Sequence, residues 1–420
     1  MKKQCQKKLK KSYILYASVF FVMFVLAFQN IIEKYINFAS YIDELFGLIG
    51  VGLAIIFCDI FISKISRKDY FLLFFFLTMY FISGFIGSSI YKYQALGPVM
   101  KDAYTNIKFY LTLFAGIIIG DLIDVGMLRK PIITCAKILT IYYTFLFVVD
   151  RLFSIWDGQV RYGIRSAVLG YQHPTYLTGS LVFLLAIFAM FYENKNLVYI
   201  TCDLVILLFT FRAKAIVATF IYMLLLVIII FLKKEIKIKH VFVFIALAIG
   251  LAWKNIYFYF VQLSDCSARS IMTKTSFKVM KDYFPFGTGY ATYASHEAAV
   301  NYSPVYILYG FLENYELTLL DGGEHSFFDD TFWPIIMGQT GFFGLLCYIS
   351  LLLVIIKICS DTKYKNINIY FSVIFVMAYL LIATTAEPAF NNSIAIPLGL
   401  VLGLCLGFAD KMKKVGIYNE

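Results

Sequence analysis

The sequence predicts an all-α, polytopic helical membrane protein of about twelve transmembrane helices, with a large outward-facing loop between helices nine and ten. Three observations carry this. Apolar residues make up 61% of the chain and charged residues 15%, against roughly 25% charged in a soluble domain. Runs of about twenty apolar residues recur along the whole length, as a hydrocarbon core about 30 Å thick demands of a helix. At 420 residues the chain also exceeds the ~250–300 residues that one soluble core supports. Residues 1–420 therefore read as a single integral membrane domain with no soluble catalytic domain attached.

The expected spans are 13–31, 45–65, 70–89, 106–124, 131–152, 174–193, 197–211, 213–232, 240–258, 332–357, 367–385 and 391–410. The first follows a lysine-rich start and looks like a signal sequence. It is long and lacks a small-residue cleavage site, so it reads as a retained span. The pair 197–211 and 213–232 has almost no connection and reads as a tight hairpin or one interrupted span. Basic residues set the orientation. Lys2, Lys3, Lys7, Lys8, Lys10 and Lys11 precede the first span, and the 64–69, 129–130, 233–240, 357–365 and 411–414 connections are basic as well. All fall on one side when both termini are cytoplasmic. The 153–173 loop and the 259–331 loop then face outward. The +11 net charge belongs to the lysine-rich inner connections, so no nucleic-acid partner is expected. The eight cysteines show no paired spacing, and no His/Cys/Asp/Glu spacing suggests a metal.

The candidate chemistry lies in the two outer loops and one turn. Arg161-Tyr-Gly-Ile-Arg165 is followed by Gly170-Tyr-Gln-His173-Pro174, where His173 reads as a helix-entry residue. Arg212 and Lys214 form a cation pair at the outer end of the bundle, between spans seven and eight. Arginine grips phosphate with a permanently charged fork of donors, so several at one membrane surface point to a lipid-linked anion. Arg269 opens a segment that reads as an amphipathic surface helix. Lys274, Lys278 and Lys281 share one face, with Met272, Phe277, Val279, Met280, Tyr283 and Arg269 on the other. Phe284-Pro-Phe-Gly287-Thr-Gly289-Tyr is a turn signal; it follows no strand, which excludes a nucleotide-binding reading. His325 can take a proton from a sugar hydroxyl, with Asp329 and Asp330 orienting it or serving as the base instead. His296 and His240 read as ordinary. Asp59 and Asp203 lie deep in spans and invite an ion-coupling hypothesis, while Lys137 sits near a span end and can snorkel. Glu387-Pro388 in the last outer turn can also face the site.

Taken in order, these pieces resemble the O-antigen polymerase and ligase superfamily, bacterial membrane glycosyltransferases that use undecaprenyl-pyrophosphate-linked glycans. The matching residues are Arg165…Gly170-x-x-His173-Pro174, the turn ending in Arg212, Arg269 followed by Phe284-Pro-x-Gly-Thr-Gly289, and His325-Ser…Asp330 leading into Gly338-x-x-Gly341-x-x-Gly344. Phe211 stands where serine often precedes the arginine, and His325-Ser where ligases tend to have His-Asn. The resemblance implies a repeat-unit polymerase for O-antigen, capsule or exopolysaccharide, in the bacterial cytoplasmic membrane with its site on the outer face. It implies a reaction without metal or cofactor that inverts the anomeric centre. Catalysis would fall to His325, Asp329, Asp330 and Arg269, and pyrophosphate binding to Arg161, Arg165, Arg212, Lys214 and His173. Its partners would be the lipid-linked oligosaccharide, membrane lipid, a chain-length regulator and a flippase. A glycan ligase of the same superfamily and a polysaccharide transporter or flippase are the alternatives. A transporter predicts symmetric halves and broken central helices, and the sequence shows neither.

Overall fold

A computed structural model of the protein describes residues 2–161, 163–234, 250, 253, 257–263, 266–313, 317 and 327–415. The expected ninth span at 240–258 lies mostly outside them, and His240 and His325 lie outside them altogether. The amino-terminal half contains α1 (Lys2–Glu33), α2 (Ile42–Ile56), α3 (Cys58–Ile65), α4 (Lys68–Tyr91), α5 (Leu96–Leu122) and α6 (Val125–Phe153). A two-stranded antiparallel hairpin follows, β1 (Val160–Arg161) with β2 (Ile164–Arg165). Then come α7 (Pro174–Met190), α8 (Leu197–Phe209), α9 (Ala213–Leu225), α10 (Ala268–Asp282), α11 (His296–Val300), α12 (Pro304–Leu308), α13 (Trp333–Asp361), α14 (Ile367–Ala383) and α15 (Ala395–Val415).

Among the described residues, seven helical stretches are long and apolar enough to cross a membrane, and α7 and α14 are apolar but shorter. Phe21, Ile55, Ile56, Phe145, Leu152 and Leu353 stand exposed on this surface. Water would penalise such a mantle, whereas acyl chains match it. The 45–65 stretch is two helices, broken at Phe57. The 197–211 and 213–232 stretches are also two helices, parted by Thr210-Phe211-Arg212. Asp59 is exposed in the first turn of α3. Asp203 is fully buried, its Oδ2 accepting the Thr140 hydroxyl at 3.0 Å.

Charged contacts sort to the two ends of the bundle. At the lysine-rich end, Asp410 of α15 accepts Lys64 at 2.8 Å, Lys365 at 2.8 Å and Arg67 at 2.9 Å, and Lys64 also reaches Asp121 at 3.2 Å. The other end gathers Arg161, His173, Arg212, Arg269 and Glu387, described below.

Helix packing without a hydrophobic drive relies on close backbone approach. α5 and α15 achieve it with Gly116 and Gly120 against Gly403 and Gly407; a Cβ on Gly403 would stand 2.1 Å from the Leu113 carbonyl oxygen. The second device is a broken helix. Gly341 interrupts α13 with φ +64° and ψ −162°, a conformation open only to glycine. The break exposes backbone groups, and the 285–289 loop satisfies them. Thr288 N–H donates to Gly338 O (3.0 Å), Gly289 N–H to Gln339 O (2.9 Å), and Phe343 N–H to Pro285 O (3.0 Å). The Phe284-Pro-Phe-Gly-Thr-Gly turn is thus a backbone insert that completes a span, as an apolar environment requires.

The α10 segment forms a helix whose lysines 274, 278 and 281 are exposed, as the periodicity predicts. Its inner face differs from expectation. Phe277 is exposed, and Ala268, Ser270, Thr275 and Ser276 are buried with Met272 and Val279. Small side chains let α10 lie close against α13, which leaves no room for Phe277.

Candidate active site

Three local features bring distant cations to one point. The first is the α8–α9 turn. Phe211 adopts a left-handed backbone (φ +50°), so the chain reverses within three residues and Arg212 caps α9. The second is the β-hairpin, held over this turn by the Ala167 N–H to Phe209 O bond of 2.8 Å. Arg161 on it donates to Phe211 O at 3.5 Å and to Gln159 Oε1 at 3.1 Å. The third is the start of α7. His173 caps it, its Nδ1 accepting the Thr175 amide at 3.3 Å, and Pro174 supplies a first-turn residue that needs no partner for its nitrogen.

His173 Nε2 touches Arg212 Nη2. Burial first, then the charges of Arg212, Lys214, Arg161 and Arg269, push the His173 pKa down to about 3. The ring is therefore neutral at physiological pH. A guanidinium only donates, so the close contact with Arg212 engages the neutral ring through its Nε2 as acceptor. Arg212 Nε is buried and without a partner among the described residues. Burial, followed by Arg161 and Arg269, brings Arg212 down to about 10, which still leaves it charged.

Only part of this charge is compensated. Lys214 in the first turn of α9 forms a buried pair with Glu387, from the turn after α14. Arg269 Nη2 pairs with Asp330 Oδ2 at 3.1 Å. Among the described residues, Arg161 and Arg212 form no ion pair with a carboxylate. Among the described residues the arrangement is a donor-rich cluster of net positive charge at one end of the bundle, suited to an anion with several oxygens.

The residues expected at the site divide. Arg161, His173, Arg212, Lys214, Arg269 and Asp330 come together. Asp329 is beside them and bonds His296 Nδ1 at 3.2 Å. Arg165 turns away: its guanidinium donates to the Trp156 carbonyl (2.9 Å), to the Asp150 carbonyl (2.6 Å) and to Asp150 Oδ1 (3.2 Å). Asp150 also takes Arg151 at 2.6 Å, so Arg165 braces the end of α6 under the hairpin. The sequence reading took His296 as ordinary. It passed over Asp102, which is buried and accepts Ala291 N–H (2.5 Å), Ser295 Oγ (3.0 Å) and Gln339 Nε2 (2.6 Å), tying α5 to the 291–295 loop and α13.

The depressed His173 pKa has a measurable sign. A histidine held below its ordinary 6.5 binds more protons unfolded than folded, so folded stability is full above 6.5 and falls as pH drops toward 3. We expect the melting temperature to decline over that window, and His173→Gln to flatten the slope. An unchanged slope in the variant would remove His173 from this role.

No protein-family model matches the chain and no curated protein matches it, so the geometry of this pocket carries the functional reading.

Proposed function

We propose that the protein is a repeat-unit polymerase with the twelve-span topology expected from sequence, both termini cytoplasmic. It transfers a glycan from undecaprenyl pyrophosphate to a sugar hydroxyl of an incoming lipid-linked repeat unit, at the outer face of a bacterial cytoplasmic membrane. The supporting observation is the meeting of Arg212, whose buried Nε has no partner among the described residues, with Arg161, neither forming an ion pair with a carboxylate among those residues. A pyrophosphate there takes their donors and supplies negative charge. The same contacts strengthen as the leaving group gains charge in the transition state, which is where fixed donors lower a barrier. Arg269 supplies a further positive charge, with Asp330 fixing its fork. Arg165 stands outside this set in the proposal, since its donors are engaged.

Among the described residues, the broken α13 and the buried Asp203 are the features a transporter reading draws on. The freed backbone groups of α13 are bonded by the 285–289 loop, which makes the break a filled joint. The test is reconstitution of the full chain in liposomes with an undecaprenyl-pyrophosphate-linked repeat unit. A ladder of regularly spaced lipid-linked products, retained in Asp59→Asn and lost in Arg269→Ala, is the expected result. One transfer to a foreign acceptor would indicate a ligase. Movement of intact donor across the bilayer, without consumption, would indicate a transporter and end the polymerase reading.

A further inference from the structure

A glycosyl transfer needs a proton acceptor at the attacking hydroxyl as well as a cradle for the departing phosphate. His173 cannot serve: it is neutral but its Nδ1 takes the Thr175 amide and its Nε2 faces Arg212. The outer loop contains a different histidine in suitable form. His296 Nδ1 lies 3.2 Å from Asp329 Oδ2, and the imidazole is 73% exposed, which leaves Nε2 open to an incoming group.

An exposed His–Asp pair is commonly an incidental surface contact. Here both backbones are pinned from below. The residue before His296 is Ser295, whose hydroxyl donates to the buried Asp102 at 3.0 Å and accepts the Ala298 amide at 3.3 Å. Asp102 in turn is held by Gln339 of the broken α13. The residue before Asp329 is Phe328, fully buried and stacked on Tyr306 with centroids 4.3 Å apart. Both members of the pair therefore project from fixed backbone positions. The pair also adjoins the cation pocket. Asp330, next in the chain, carries Arg269, and Asp329 lies near enough to Tyr176, three residues beyond His173, to act on it electrostatically.

We propose that His296 is the base that takes the proton of the attacking sugar hydroxyl and that Asp329 is its positioning residue, an inference that rests on the glycosyl-transfer reading above. In the step, the hydroxyl oxygen bonds to the anomeric carbon while its proton passes to His296 Nε2. The bond from that carbon to the pyrophosphate oxygen breaks, and its electron pair leaves with the pyrophosphate into the Arg161–Arg212 pocket. The protonated imidazole then gives its proton to water. Asp329 fixes the ring by accepting Nδ1–H and stabilises the imidazolium that forms.

The groups facing His296 set the pH at which it is ready. Asp329 is bonded to it, Glu297 follows it and is tied to Lys101 of α5 at 3.8 Å, and Asp102 lies beneath. The bond to Asp329 comes first among these, and all three carboxylates raise the imidazole above its ordinary value, against the opposing effect of burial. The acid limb of the rate profile accordingly belongs above the usual histidine range.

The experiment is the rate of ladder formation by the reconstituted full chain against pH and donor concentration. His296→Gln should lower kcat by about 10²–10⁴-fold with the donor KM unchanged. Asp329→Asn should retain part of the rate and move the acid limb to lower pH, and added imidazole should partly restore His296→Ala. Should His296→Gln fail to accumulate, the Asp329→Asn pH shift decides alone. Wild-type rate and profile in His296→Gln, with Arg212→Ala inactive, would overturn the proposal while leaving the reaction intact. Loss of activity in His325→Ala with His296→Gln unaffected would also overturn it and move the base to His325. Absence of any ladder from the wild-type protein would remove the reaction and this proposal with it.

Discussion

Arg212→Ala is expected to lower the rate of glycan transfer by about 10²–10³-fold, the usual loss when one preorganised donor to a developing negative charge is removed. The protein should still fold. Among the described residues Arg212 forms no ion pair with a carboxylate, so its removal strands no buried anion. The loss should appear mainly in kcat, because the contact strengthens as the pyrophosphate departs. Arg212→Lys should recover only a fraction, since an ammonium lacks the planar fork that spans two phosphate oxygens. Arg165→Ala provides the contrast. Its guanidinium holds the Asp150 carboxylate and two backbone carbonyls, so that variant should lose folded protein rather than turnover. Size-exclusion profiles together with kcat and KM separate the two outcomes. Wild-type kcat in Arg212→Ala would sink the pocket assignment.

Gly341→Val should have the largest effect on folding. A Cβ at Gly341 would lie 2.3 Å from Gly287 N and 2.5 Å from Pro285 O, both backbone atoms that cannot swing aside. The required φ of +64° with ψ −162° adds about 1–3 kcal/mol for any residue with a side chain, and overpacking adds about 1–3 kcal/mol more. Relief would mean withdrawing the 285–289 loop, which would leave the Gly338 and Gln339 carbonyls without their present donors inside a span. Melting in detergent is the measurement. Gly97→Ala is the control, because an added Cβ there meets nothing within 4 Å. Equal melting temperatures for wild type and Gly341→Val would show that the loop does not brace the helix.

Much of the architecture could be read from hydropathy alone, because a span announces itself by composition over about twenty residues. The gathering of Arg161, His173, Arg212 and Arg269 could be anticipated only as three cations and a histidine on one face. Their convergence depends on a left-handed Phe211 and a hairpin anchored to Phe209, which no local pattern encodes. Arg165 shows the limit well. It and Arg161 are equivalent in sequence, and the position of Asp150 makes Arg165 a brace while Arg161 bonds the Phe211 carbonyl beside Arg212. The Gly338-x-x-Gly341-x-x-Gly344 spacing was visible, but periodicity reports on side chains and cannot tell a packing glycine from a helix break. His296 reads as ordinary in sequence for a related reason: its partner is 33 positions away and meets it only after Phe328 and Ser295 are buried.

The pairing of α5 with α15 bears on how the protein is made. Everything from Val125 to Ile394 must be synthesised after α5 before its glycine-lined groove can be filled. Until then Gly116 and Gly120 offer bare backbone to lipid, and Lys64 has Asp121 but not Asp410. The final helix acts as a bolt. It closes the groove and gathers Lys64, Arg67 and Lys365 onto one carboxylate at the same moment. A chain stalled before Ala395 carries those cations without their shared anion at the membrane surface, a mark by which quality-control proteases could tell an unfinished copy from a finished one.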